Sequence, residues 1–203
     1  MNIEISERIK NGNKACYANA KLIKSKFLTK NTKMRIYKTT IRPVVTYLSE
    51  TWTLTATDEN NRCIFERQIL RKIFGPVNIG KIWRIRNNME INKLIEGADI
   101  VRFTKAQRIK WLGHIQRKGQ ARPARKLLDW KRMGTRPVGR PRQRRKEDIM
   151  EDLRKLKIKN WKEIDKDRRI GRDLAERAKT HKGLSCQLMM MMMMMMMCSL
   201  NSI

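Results

Sequence analysis

From Ile5 onward, apolar or small positions return at Ile9, Gly12, Cys16, Ala20, Ile23 and Phe27, with Lys10, Lys14, Lys21, Lys24 and Lys26 between them. Steps of three and four make this the stripe of one long amphipathic helix. Asn31 or Thr32 can cap a second helix carrying Met34, Tyr37 and Ile41, and Pro43 marks Arg42 as a boundary, because the residue before proline is pushed away from helical geometry. The run at residues 44–48 then reads equally as a buried strand or a kinked helix. Thr57 or Asp58 starts a third helix with Phe65, Ile69 and Ile73 on one face, closed by Gly75-Pro76. Residues 1–76 therefore form one helical unit.

Downstream, the pattern weakens and then changes character. Trp83 and Ile85 suggest a short extended piece, and residues 91–96 a short helix. Asp99 opens a helix through about Gln116, with Phe103, Ala106, Ile109 and Leu112 inward and Arg102, Lys105, Arg108 and Lys110 over the remaining surface. Residues 77–132 make a basic helical connector. Residues 133–146, rich in Gly, Pro and Arg and without apolar period, read as an arm. Residues 147–184 read as a helical hairpin: Ile149, Leu153 and Leu156 share a face, and Asn160 with Glu163 forms a capping box for a helix through Ala178. Residues 185–203 contain nine consecutive methionines at 189–197, a low-complexity tail expected to be disordered and without function. The fold class expected is mainly α, in two loosely joined parts.

Charge decides the class of partner. The 203 residues hold 48 Lys+Arg against 19 Asp+Glu, a formal net charge of +29. Self-repulsion on that scale favours a polyanion, so nucleic acid is the expected partner, contacted through its backbone. From Arg102 to Lys146 the chain has 17 Lys or Arg and a single acid, Asp129. Cys16, Cys63, Cys186 and Cys198 form no Cys-x-x-Cys pair, and with only His114 and His181 no zinc module is readable. No signal sequence is apparent. The longest apolar run, at 188–198, is half of the roughly 20 residues a spanning helix needs. Together these point to an intracellular, nuclear protein with reduced thiols and no membrane partner. They do not fix the oligomeric state.

The string Arg35-Ile36-Tyr37-Lys38-Thr39-Thr40-Ile41-Arg42-Pro43-Val44-Val45-Thr46-Tyr47, followed by Ser49-Glu50-Thr51-Trp52, resembles the thumb of non-LTR (LINE-type) retrotransposon reverse transcriptases. Leu70-Arg71-Lys72-Ile73-Phe74-Gly75-Pro76, Arg108-Ile109-Lys110-Trp111-Leu112-Gly113-His114-Ile115, Gly139-Arg140-Pro141-Arg142 and Ala178-Lys179-Thr180-His181-Lys182-Gly183-Leu184 follow in the family's order, so the resemblance spans residues 1–184. It implies a region downstream of the polymerase palm. In that family, palm aspartates hold two Mg2+ ions for nucleotidyl transfer. No aromatic-x-Asp-Asp element stands in this chain, which implies no catalytic residues and no cofactor of its own. The acidic pairs Glu147-Asp148 and Glu151-Asp152 read as solvated helix charge. Two positions depart from the family: Arg145 stands where relatives tend to have Trp, and Ile170-Gly171 falls where they tend to place Trp before Arg.

The resemblance and the charge density together nominate a nucleic-acid-binding set: Lys10, Lys14, Lys21, Lys24, Arg108, Lys110, Arg136, Arg140, Arg142, Arg144 and Arg145. Trp111 and Trp130 flank basic residues and can stack on unpaired bases or pack in a core. Trp52 and Trp161 read as core. Gly139-Arg140-Pro141 is a partial AT-hook, with Val138 in place of its first arginine, so a nonspecific phosphate-binding arm competes with minor-groove readout. His114 reads as a structural hydrogen-bonding residue. The C-terminal helix pair also allows a helix-turn-helix reading, weakened by Glu163, Asp165, Asp167, Asp173 and Glu176 on its second helix. Three functions remain open: a catalytically silent fragment of such a polymerase that binds RNA or DNA, a host-adopted nucleic-acid-binding protein, and an orphaned interaction module for the polymerase's other domains.

Overall fold

A computed structural model describes residues 2–130, 145–164 and 167–185. Arg136, Arg140, Arg142 and Arg144 of the basic arm, and the methionine run, lie outside the described residues, as does the side chain of Arg145. The described chain is mainly α-helical, with two three-residue strands.

The first amphipathic stretch forms two helices, α1 (Asn2–Ala18) and α2 (Ala20–Lys24), instead of one helix through Phe27. Asn19 separates them, its side-chain amide donating to the Ala15 carbonyl at 2.8 Å. The backbone turns extended at Ser25, so Phe27 projects into solvent, 99% exposed. Helix α3 (Lys30–Ile36) begins at Thr29, whose hydroxyl accepts the Thr32 N–H at 3.2 Å; neither Asn31 nor Thr32 is the cap. A π-helical turn, Tyr37–Ile41, leads straight into α4 (Arg42–Thr46). Pro43 thus ends no helix. It sits in the first turn of α4, where a missing N–H is tolerated, and the open run at residues 44–48 proves helical as far as Thr46.

Helix α5 (Ala56–Phe74) starts from a complete capping box. Thr55 Oγ1 accepts the Asp58 N–H at 3.2 Å and Asp58 Oδ2 accepts the Thr55 N–H at 3.2 Å, so Thr55 is the cap and Asp58 its reciprocal partner. Gly75, at φ +70°, ends the helix in a conformation that side chains disfavour. Strands β1 (Val77–Ile79) and β2 (Ile82–Arg84) pair antiparallel, Val77 opposite Arg84. Positive φ at Gly80 and Lys81 gives the two-residue turn that matches strand twist. Then come α6 (Asn88–Leu94), α7 (Ile100–Gln116), α8 (Pro123–Asp129), α9 (Arg145–Lys155), α10 (Trp161–Ile164) and α11 (Arg168–Thr180). The single helix expected through Ala178 is thus two segments, the second capped by Asp167, which accepts the Arg169 N–H at 2.7 Å.

Two clusters of buried side chains form the interior. In the first, Cys16, Ile23, Tyr37, Ile41, Val45, Phe65, Ile69 and Ile73 meet Ile100 and Val101 from the start of α7. In the second, Ala106, Ile109 and Leu112 of α7 meet Ile149, Leu153, Trp161, Leu174, Ala178 and Leu184. Burying each Ile or Leu contributes about 1.5–3 kcal/mol before entropy is counted. Helix α7 therefore supplies both interiors. Trp52 and the cysteines Cys16 and Cys63 are also buried. Gly12 lets α1 approach its neighbours: a Cβ there would lie 2.3 Å from Val45 Cγ2 and 2.8 Å from Phe65 Cζ.

Candidate nucleic-acid interface

The placement of α7 decides which cations can reach a ligand. Its start is anchored by Glu66, which accepts the Tyr37 hydroxyl and the Ile100 N–H, each at 2.7 Å. Burial, reinforced by nearby Asp99, pushes the Glu66 carboxyl up to about 7. Burial likewise raises Tyr37 and Asp99. Asp99 caps α7 by accepting the Arg102 N–H at 2.8 Å. The Arg102 guanidinium lies 3.3 Å from the same carboxylate and donates to the carbonyls of Gly97 and Thr180, tying the start of α7 to the end of α11. One turn on, Lys105 pairs with Glu59 at 2.9 Å. Beside it, buried Arg62 stacks 4.4 Å from the Trp52 ring and donates to Thr104 at 3.3 Å. Desolvation brings Arg62 down to about 10, which leaves it cationic at neutral pH. Arg108 donates to Asp152 at 2.7 Å and lies 3.6 Å from Asp148.

This ladder corrects the sequence expectation in three places. Arg102, Lys105 and Arg108 are buried, not spread over the outer surface of the helix. Arg108, nominated for phosphate contact, is 2% exposed and paired with acids, so it is unavailable to a ligand. Asp152 is buried and Asp148 half-buried, so this part of the acidic cluster is packing charge rather than solvated charge. A buried cation needs a partner within the protein, and Asp99, Glu59 and Asp152 supply one for Arg102, Lys105 and Arg108.

The opposite face of α7 carries Gln107, Lys110, Trp111 and His114 at steps of three and four, and Arg117 follows as its C-cap. It lines a cleft of about 660 Å³, closed on the other side by Arg168, Gly171 and Arg172 of α11 and at one edge by Glu50, in the short 3-10 turn Ser49–Thr51. Lys110, His114, Arg117, Arg168 and Arg172 are exposed, and Trp111 is half-buried. Among the lining residues Glu50 is the single acid. Gly171 lines the cleft on the α11 side, at one of the two positions where the sequence departs from the family it resembles.

Of the nominated residues, the structure brings Lys110 and Trp111 together in this cleft. Lys10, Lys14, Lys21 and Lys24 lie exposed along α1 and α2, apart from it. Trp130 is 65% exposed just beyond α8. Local density missed Arg117, Arg168 and Arg172. Their signal is helical spacing across two distant segments, and Asp167 and Asp173 dilute it on α11. Among the described residues no three His, Cys, Asp or Glu side chains cluster as a metal ion would require, and no helix is long and apolar enough to cross a membrane.

The chain is 25% identical over 146 residues to an uncharacterized transposon-derived protein of Caenorhabditis elegans, the match taking in 69% of this chain and 52% of that one. The similarity loosely suggests a transposon origin. This chain spans about half the length of that relative. No family model matches the sequence, and no solved structure matches it.

Proposed function

We propose that this chain derives from the thumb and post-thumb region of a non-LTR retrotransposon reverse transcriptase and binds RNA or DNA non-specifically, through phosphates, without catalysing nucleotidyl transfer itself. The observation that carries the reading is the cation-lined cleft between α7 and α11, where five exposed basic side chains face one acid. Like charges on two facing walls repel unless a polyanion lies between them. The lysines along α1 and α2 add a second basic surface. The strings that resemble the thumb and the likeness to a transposon-derived protein support the origin. A nuclear location and a partner bound through its backbone follow from that reading. A host-adopted role for the same chain predicts the same chemistry.

Binding of the purified chain to labelled RNA and DNA across a salt series tests it. The logarithm of the binding constant should fall steeply with the logarithm of salt, and each cleft or α1 cation changed to Gln should remove nearly one unit of that slope. Weak binding with no salt dependence would sink the reading.

One feature favours a second reading, that of an interaction module. The β1–β2 hairpin presents Ile79, Ile82 and Trp83 to solvent, with Ile85 and Met89 beyond it, all at least 40% exposed. Large apolar side chains left exposed along so short a hairpin suit contact with another protein. Self-association of the chain, relieved by charged substitutions at Ile82 and Trp83, would support it.

A further inference from the structure

Two surfaces on this molecule can meet a nucleic acid, and they differ in shape. The α1–α2 lysines stand on an open helical surface, which suits the backbone of any strand. The α7–α11 cleft is concave, and its wall is not purely cationic. Trp111 gives it flat apolar surface, Lys110, Arg168 and Arg172 give it charge, and Glu50 offers a hydrogen-bond acceptor. A duplex hides its base faces and presents a rigid rail of phosphates, so it can use the rim of this cleft but not its interior. At about 660 Å³ the interior is large enough for a nucleotide whose base has left the stack.

Resting on the nucleic-acid reading above, we infer that the cleft between α7 and α11 is a single-strand site that takes one unpaired nucleotide, its base against Trp111 and its phosphates against Arg168 and Arg172. Each lining group has a part in this arrangement. The indole offers a face that any base can stack on. The two arginines, one turn apart on α11, present planar donors to successive phosphate oxygens. Glu50 can accept a base amine and repels a phosphate, which sets the base toward the 3-10 turn. Gly171 lines the cleft between Arg168 and Arg172 and has no side chain of its own. Any larger side chain there would occupy the space of the base while leaving the charge of the cleft unchanged.

The test uses the full chain and labelled oligo(U) and oligo(dT) of about 12 nucleotides, each single-stranded and annealed to its complement. The wild type should bind the single strands more tightly than the duplexes at equal salt. Gly171→Leu should weaken single-strand binding on the order of tenfold and leave duplex binding and its salt slope unchanged. Circular dichroism would confirm that the variant is folded. Should Gly171→Leu disturb α11, Trp111→Phe gives the same discrimination, with quenching of tryptophan fluorescence by oligo(U) lost, and the exposed double change Arg168→Gln with Arg172→Gln should weaken single-strand binding by more than the loss of salt slope it shares with the duplex. Equal affinity for single strands and duplexes, or single-strand affinity untouched in all three variants, overturns the inference while leaving salt-dependent polyanion binding standing. Absence of salt-dependent binding to every probe overturns the nucleic-acid reading itself. The RNA and DNA arms show which backbone the site prefers.

Discussion

Arg108 and Lys110 stand two residues apart on α7 and face opposite ways. Arg108 lies inside, held by Asp152 and Asp148, while Lys110 opens onto the cleft. Removing a partner from a buried ion pair leaves an uncompensated charge and costs about 3–5 kcal/mol. Asp152→Ala should therefore lower the unfolding free energy measured in urea by that order, whereas Lys110→Gln should leave it within about 0.5 kcal/mol and reduce the salt slope of nucleic-acid binding. Loss of binding without loss of stability in Arg108→Gln would contradict the assignment. Glu66 makes a second prediction at this scale. Its folded carboxyl titrates near 7, above its ordinary value, among Tyr37, Asp99 and Arg42. The folded state thus holds the proton more tightly than the unfolded chain. The stability this contributes is complete below about pH 4.5 and is lost as pH rises through 7, roughly 3 kcal/mol over the interval. Glu66→Gln, neutral at every pH, should flatten that part of a denaturation-versus-pH curve. An unchanged slope would rule out Glu66 as its source.

Helices announce themselves through local rules, and here those rules sufficed for most of the elements. Asp99 caps α7 and Gly75 stops α5, where spacing and cap chemistry place them. The misses have physical causes. Pro43 looks like a stop because the rule concerns an ideal helix, and a π-helical turn just ahead changes the geometry it meets. Phe27 continues the apolar stripe of α1 on paper, yet Asn19 interrupts the helix and the backbone turns before Phe27 can reach the core. The cations of α7 were misplaced for a different reason. Whether an Arg faces solvent depends on acids more than forty residues away in sequence, such as Asp152 for Arg108, and periodicity cannot see them. The cleft was half legible, through Lys110 and Trp111, because its other wall lies on α11. Gly12 belongs to this scale too. Its absent Cβ sets how closely α1 approaches Val45 and Phe65. Gly12→Ala would raise helix propensity by about 1 kcal/mol, but the overlap should outweigh that gain and leave a net loss of about 1–3 kcal/mol in chemical denaturation. A more stable variant would show that the contact relaxes freely.

The whole molecule carries a net charge of +29 on 203 residues, and that charge resists its own compaction. Sodium chloride raised from about 0.02 to 0.2 M shortens the screening length severalfold and should raise the melting temperature. If the proposed function holds, a short polyanion should do so at far lower concentration, through binding to the folded surface. A melting temperature that falls with salt would mean that the interior ion pairs, and not the repulsion between surface cations, dominate the balance. These two interiors are not independent, since α7 runs through both. A lesion in either one is therefore felt in the other. Truncating Leu174 to Ala, in the second cluster, loosens the seat of Leu112 and Ile109. The strain then passes along a single rod to Ile100 and Val101, and so to amides around Tyr37 in the first cluster. Hydrogen exchange should record it there as a shared loss of protection, the two ends of the protein opening as one.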